Sequence, residues 1–158
     1  MRVITAVLLL MIAPGAFAQE SVIELLRHDI RAEKVAIMTE SLPLTEKEGD
    51  AFWPLYRDYD VALMKLGDRR IAVIKQVAAD NGKLDNKTAQ KLVKESFKIF
   101  DEKNSLLKKY YEKIAKVIGP VKAGRFLQIE HQLLTLLEAE VIDQIPLVKS
   151  KPAPETKK

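Results

Sequence analysis

Residues 45–118 read TEKEGDAFWPLYRDYDVALMKLGDRRIAVIKQVAADNGKLDNKTAQKLVKESFKIFDEKNSLLKKYYEKIAKVI, and this stretch decides the fold. Phe52, Tyr56, Tyr59, Leu63, Leu66, Arg70, Val73 and Val77 recur at alternating steps of four and three. After Asn81-Gly82, a helix stop, the alternation returns in Val93, Phe97, Phe100, Asn104, Leu107, Tyr111, Ile114 and Ile118. A repeat of about 3.5 residues is the seam of paired helices, as in a coiled coil. Each run predicts a helix of roughly 33 residues, about 50 Å long. The short connection makes them an antiparallel hairpin. Val77 opposite Val93 puts Leu66 opposite Asn104 and Arg70 opposite Phe100, with Arg70 and Asn104 as polar seam residues that set the register.

Working outward, Thr45-Glu46-Lys47-Glu48 is a capping box, in which the Thr hydroxyl and the Glu carboxylate each accept from the other's backbone N–H. It starts the second helix, and Pro54 inside that helix predicts a bend. A first helix is expected from about Ser21 to Ser41, with Ile23, Leu26, Ile30 and Ile37 on one stripe and Pro43 as its stop. Gly119-Pro120 ends the third helix and begins a fourth. The fourth runs to about Gln144, with Phe126, Ile129, Leu133, Leu137 and Val141 inward and Pro146 beyond. The expectation is all-α: four helices around a long, bent antiparallel central hairpin of helices two and three, forming a dimer. Residues 149–158 read as a disordered Lys/Pro tail.

The N-terminus has the layout of a secretory signal peptide. Arg2 precedes an apolar run from Val3 to Ile12, Pro14-Gly15 breaks it, and Ala16-Phe17-Ala18 supplies small residues at the cleavage positions. The run is shorter than the ~20 residues that span a bilayer. Cleavage after Ala18 leaves a single helical domain over residues 19–148, delivered to the periplasm. No cysteine is present, so stability comes from packing rather than disulfides. The formal charge is +4, yet residues 19–148 hold 21 basic and 21 acidic side chains. The excess lies in Arg2 and the tail, which argues against nucleic acid as a partner. Within 19–148 the charge is uneven: residues 83–116 are positive, with 10 basic and 5 acidic groups.

No phosphate loop, nucleophile elbow or convergent catalytic set is visible, so no enzyme and no cofactor are expected. His28 and His131 are the only histidines, and neither has a His or Cys at metal-ligand spacing. Surplus apolar surface is the stronger signal. Leu92, Ile99, Leu106 and Tyr110 form a stripe beside the third helix's seam, and Trp53, Met64, Ile71 and Ile74 lie beside the second's. The flanking helices are shorter than the hairpin, so part of this surface is expected to stay uncovered. Phe52, Trp53, Tyr56, Ile99, Leu106 and Tyr110 are the candidate client-binding residues. Lys87, Lys91, Lys94, Lys98 and Lys108 form a basic rim.

Leu44-Thr45-Glu46-Lys47-Glu48 resembles the Leu-Thr-x-x-Gln motif of the Spy/CpxP-like periplasmic family, with Glu where the family has Gln. The signal peptide, the four helices with a long hairpin and the absence of cysteine are also similar to that family. Phe52-Trp53-Pro54-Leu55-Tyr56, Arg125-Phe126-Leu127-Gln128-Ile129-Glu130 and Gln144-Ile145-Pro146-Leu147-Val148 resemble a divergent branch of it. The second motif is missing: its place reads Ile118-Gly119-Pro120-Val121-Lys122, while Leu134-Thr135-Leu136-Leu137-Glu138 has similar letters inside helix four. The resemblance implies a homodimer that holds unfolded or misfolded envelope proteins without ATP. The alternative it implies is a stress- or metal-responsive accessory of a sensor kinase's periplasmic domain, with His28 and His131 as ligands.

Overall fold

A computed structural model describes residues 32–79, 82–142 and 147–150. They hold four α-helices: α1 (residues 32–41), α2 (Glu46–Ala78), α3 (Asn86–Ile118) and α4 (Pro120–Ile142). Two two-residue strands, β1 (Lys83–Leu84) and β2 (Lys149–Ser150), are the only extended pair among the described residues. The fold is all-α, as the periodicity predicts. The chain divides into two compact units between Glu40 and Ser41, within the stretch expected to form one domain. In the first unit Met38 is buried, and Ile37, expected inward, is half-buried. Ile23, Leu26, Ile30 and the signal segment 1–18 lie outside the described residues, as do Pro146 and the side chain of Val141.

The second unit is built on the hairpin. Glu48 N–H donates to Thr45 Oγ1 at 3.4 Å, and the Glu48 carboxylate accepts from Thr45 N–H at 2.8 Å, so the capping box forms. Asp85 caps α3 by accepting from Thr88 N–H at 2.8 Å. Helix α2 runs through exposed Pro54 without interruption. Tyr59 meets Tyr110 at 5.6 Å between ring centroids. Val77 clusters with Leu92 and Leu84. Both pairs fit the predicted antiparallel register to within one residue.

The face that α3 presents differs from the prediction in its first half. Leu92 and Ile99 are buried, whereas Val93, Phe97 and Phe100 are exposed. One residue along a helix is about 100° of rotation, enough to exchange seam and surface. Asn104 is likewise exposed, and its neighbour Lys103 reaches Glu138 of α4 at 2.6 Å. Arg70 pairs with Glu138 at 3.1 Å, while Arg69 crosses to α3 and takes Glu95 at 2.7 Å and Glu102. The register is therefore held by charge pairs at the seam's edge rather than by Arg70 and Asn104 within it.

Gly119 has φ 82° and ψ 158°, a region closed to residues with a Cβ. The chain reverses there and Pro120 opens α4, which lies antiparallel to α3 and parallel to α2. Gly82 has φ 81°, and its N–H donates to Val77 O at 2.9 Å to finish α2. Residues 149–150 are not a free tail: they pair in parallel with β1, Lys83 opposite Lys149. Residues 151–158 lie outside the described residues. Gly119→Ala is expected to cost about 1–3 kcal/mol from backbone strain alone, since nothing lies within 4 Å of an added Cβ. Urea unfolding of the two proteins measures this.

Candidate functional site

The packed end of the hairpin is aromatic. Phe52, Tyr56 and Tyr59 recur along one face of α2, and Phe126 of α4 enters among them. Its ring stands edge-on to all three, with centroids 6.0, 6.3 and 5.8 Å away. Each such contact adds about 0.5–1.5 kcal/mol beyond the area buried. The Tyr59 hydroxyl donates to Glu130 Oε1 at 3.2 Å inside this core, and Glu130 itself is fully buried. Burial and then the neighbouring Glu130 charge push the Tyr59 pKa up.

This packing corrects the candidate client-binding set. Phe52, Tyr56, Ile99 and Tyr110 are core, not surface. Trp53 is half-buried, its ring edge-on to Phe52 at 5.1 Å, and Leu106 is half-buried. The four buried residues face a neighbouring helix, and their exposure would require unfolding. The five rim lysines are all exposed: Lys87, Lys91, Lys94 and Lys98 on the first half of α3, and Lys108 further along. Lys98 stands 4.0 Å from Glu102.

The uncovered surface lies where the seam was expected. Val93 is 52% exposed, Phe97 64% and Phe100 46%. These residues continue a stripe of α3 whose later members, Leu107, Ile114 and Ile118, are partly or fully buried. Helix α4 has 23 residues against 33 in α3, and with Glu138 beside Lys103 its described end lies about one turn further on. Beyond that point Val93 and Phe97 of the same stripe are exposed, bordered by Lys94 and Lys98. The periodicity assigns this stripe to the hairpin seam because a single apolar repeat does not say which neighbour it faces. Its continuity with Ile114 and Ile118, set against the shorter fourth helix, was the available signal.

Leu44 is half-buried, and Thr45 and Glu48 carry the cap. Glu48 also accepts from Lys122 Nζ at 2.6 and 2.8 Å, tying the first turns of α2 and α4 together. The Lys122 hydrogen bond, then those from Thr45, hold its carboxyl down to about 2. Burial raises the Glu138 carboxyl, but the hydrogen bond and charge of Lys103, with Arg70, outweigh it and leave that pKa lowered. Glu102 and then Glu95 raise the Arg69 pKa. His131 is exposed on α4, and His28 lies outside the described residues. Among the described residues no three His, Cys, Asp or Glu side chains converge as a metal site would need. No helix among them is long and apolar enough to cross a membrane.

Phe52→Ala should cost about 3–5 kcal/mol by leaving a core cavity. Phe97→Ala should stay within about 0.5 kcal/mol of the parent; urea unfolding separates the two. For Glu48, a depressed folded pKa means stabilisation that is present above the unfolded value, about 4.3, and lost as pH falls towards the folded value. Glu48→Gln should therefore flatten the decline in thermal stability between about pH 4.5 and 2 and leave the rest of the curve's shape unchanged.

No protein-family model, curated protein or solved structure matches the chain.

Proposed function

We propose that the protein is a periplasmic, ATP-independent chaperone-like protein that holds non-native envelope proteins weakly, and that it is not an enzyme. The observation that carries this reading is the uncovered stripe of Val93, Phe97 and Phe100 on α3, edged by Lys94 and Lys98. Large apolar side chains exposed in a row mark a partner surface. Phe97 and Phe100 offer exposed apolar area on one face of α3. The lysines add a longer-range attraction on flexible stems, which suits many partners rather than one. The export signal and the likeness to the Spy/CpxP-like family support the compartment and the role.

Dimerisation belongs to the same proposal. Its interface lies off this stripe, because two copies laid stripe to stripe would oppose Lys94 and Lys98 to their own counterparts. Sedimentation of Phe97→Ser, whose oligomeric state should equal that of the parent, checks this placement.

The test of function is suppression of aggregation of an unfolded model protein by the mature chain. Suppression should weaken in Phe97→Ser and Phe100→Ser while their urea midpoints stay near the parent's. It should also weaken in Lys94→Glu combined with Lys98→Glu. No suppression at several-fold molar excess sinks the reading.

A further inference from the structure

At the closed end of the hairpin a groove of about 210 Å³ opens between α2 and α3. Val73, Ile74 and Val77 line one side, Ile99 and Phe100 the other, and Val148 lies against it. Arg70 and Ser96 complete the lining, and Phe100 belongs both to this groove and to the exposed stripe, so the two adjoin there. Val148 reaches it because the segment Leu147–Ser150 returns to the turn and pairs with β1.

We infer that Leu147–Ser150 is a displaceable strap, and that the groove together with the edge of β1 is an acceptor for an extended apolar segment of a client. This rests on the capture reading given above and supplies its regulation.

The strap's anchorage is specific yet slight. Lys149 N–H donates to Gly82 O at 2.7 Å, and the pairing is parallel and only two residues long. Parallel pairs are slightly weaker per residue than antiparallel ones, and short isolated pairs are marginal in water. Val148 remains 58% exposed and Leu147 82% exposed, so neither is driven far into the core. The seat, by contrast, is made for close approach. A Cβ on Gly82 would come within 2.2 Å of the Leu147 carbonyl oxygen, so only glycine lets the strap lie there. A tight seat holding a weakly held strand is what exchange requires: main-chain hydrogen bonds to β1 and an apolar side chain in the groove are available to any extended apolar segment. Lys83 and Leu84 supply the edge, with Leu84 buried beneath and Lys83 exposed.

The strap competes with the client, so apparent affinity falls by the fraction of time the groove is open. For an open fraction of about a tenth, releasing the strap raises affinity about tenfold.

The test is a reversible staple in the mature, full-length chain. The protein has no cysteine, so Lys83→Cys with Lys149→Cys forms one disulfide only, between exposed residues that are already cross-strand partners. Binding of an apolar fluorescent dye and aggregation suppression are each measured oxidised and reduced. The expected result is lower dye binding and lower suppression when oxidised, both restored by dithiothreitol, with the free sulfhydryl form matching the parent. Val148→Asp, which unseats the strap from its own side, should raise dye binding without the staple. Equal dye binding in the oxidised and reduced forms, with Val148→Asp unchanged from the parent, overturns the strap. A redox-dependent dye signal with no suppression in any form upholds the strap and sinks the capture reading instead. Suppression that is strong and identical in all forms does the reverse.

Discussion

Phe126 is the contact on which the second unit depends. It is the one α4 side chain that meets three rings of α2 at once, and it is fully buried. Edge-on geometry lets the electropositive rim of one ring face the electronegative face of another, so the contact specifies orientation as well as burial. With Phe126 in place, α4 is committed to the end of the hairpin away from the turn. Gly119 makes this possible: its backbone conformation reverses the chain within one residue and brings α4 straight back along α3. The Glu48–Lys122 pair then ties the two helix starts together. Arg70 and Lys103, both on Glu138, hold α4 towards its other end.

The other end of the hairpin is less covered. The stripe on α3 that meets α4 runs on there as the exposed Val93, Phe97 and Phe100. The molecule therefore has a rigid aromatic end and an end whose core is small, made by Val77, Leu84 and Leu92 with Val73 and Ala89 beside them. Buried aromatic packing and exposed apolar surface are separated along one pair of helices. Substitutions at the first end act through packing density, and substitutions at the second through surface chemistry. The charge pairs between Arg69 and Glu95 or Glu102 lie between the two ends and are about one-third exposed. Such pairs contribute about 0–1 kcal/mol each, so they refine register rather than supply stability.

Much of this was legible in residues 45–118. Thr45 and Glu48 state where α2 begins, because a capping box depends on four adjacent residues and nothing distant. Asn81-Gly82 and Gly119-Pro120 state where the chain turns, because backbone strain is a local property. Pairing of Val77 near Leu92 follows from a short connection and equal helix lengths, which leave little freedom of register. The rim lysines were legible too, since charged side chains on a helix with a defined apolar face have only solvent to point to.

Which apolar stripe is covered was not legible. Helix α3 carries one stripe for α2, with Leu92, Ile99 and Tyr110, and another for α4, ending in Val93, Phe97 and Phe100. Both have the helical period, and a period records that a stripe is apolar without recording whether a neighbour lies against it. Phe52, Tyr56, Ile99 and Tyr110 were consequently expected at a surface they do not reach. The short strand at Lys149–Ser150 escaped notice for a related reason: its partner, Lys83–Leu84, is over sixty residues away, and a lysine-rich segment looks solvated until something distant receives its backbone. The sequence by itself determined helix ends, turns and register, all of which follow from hydrogen bonds and backbone sterics among near neighbours. Only the tertiary structure decided which stripe of α3 is covered, and hence that Phe97 and Phe100 are exposed while Phe52 and Phe126 are buried, because the neighbour a stripe meets is set by packing between segments far apart in the chain.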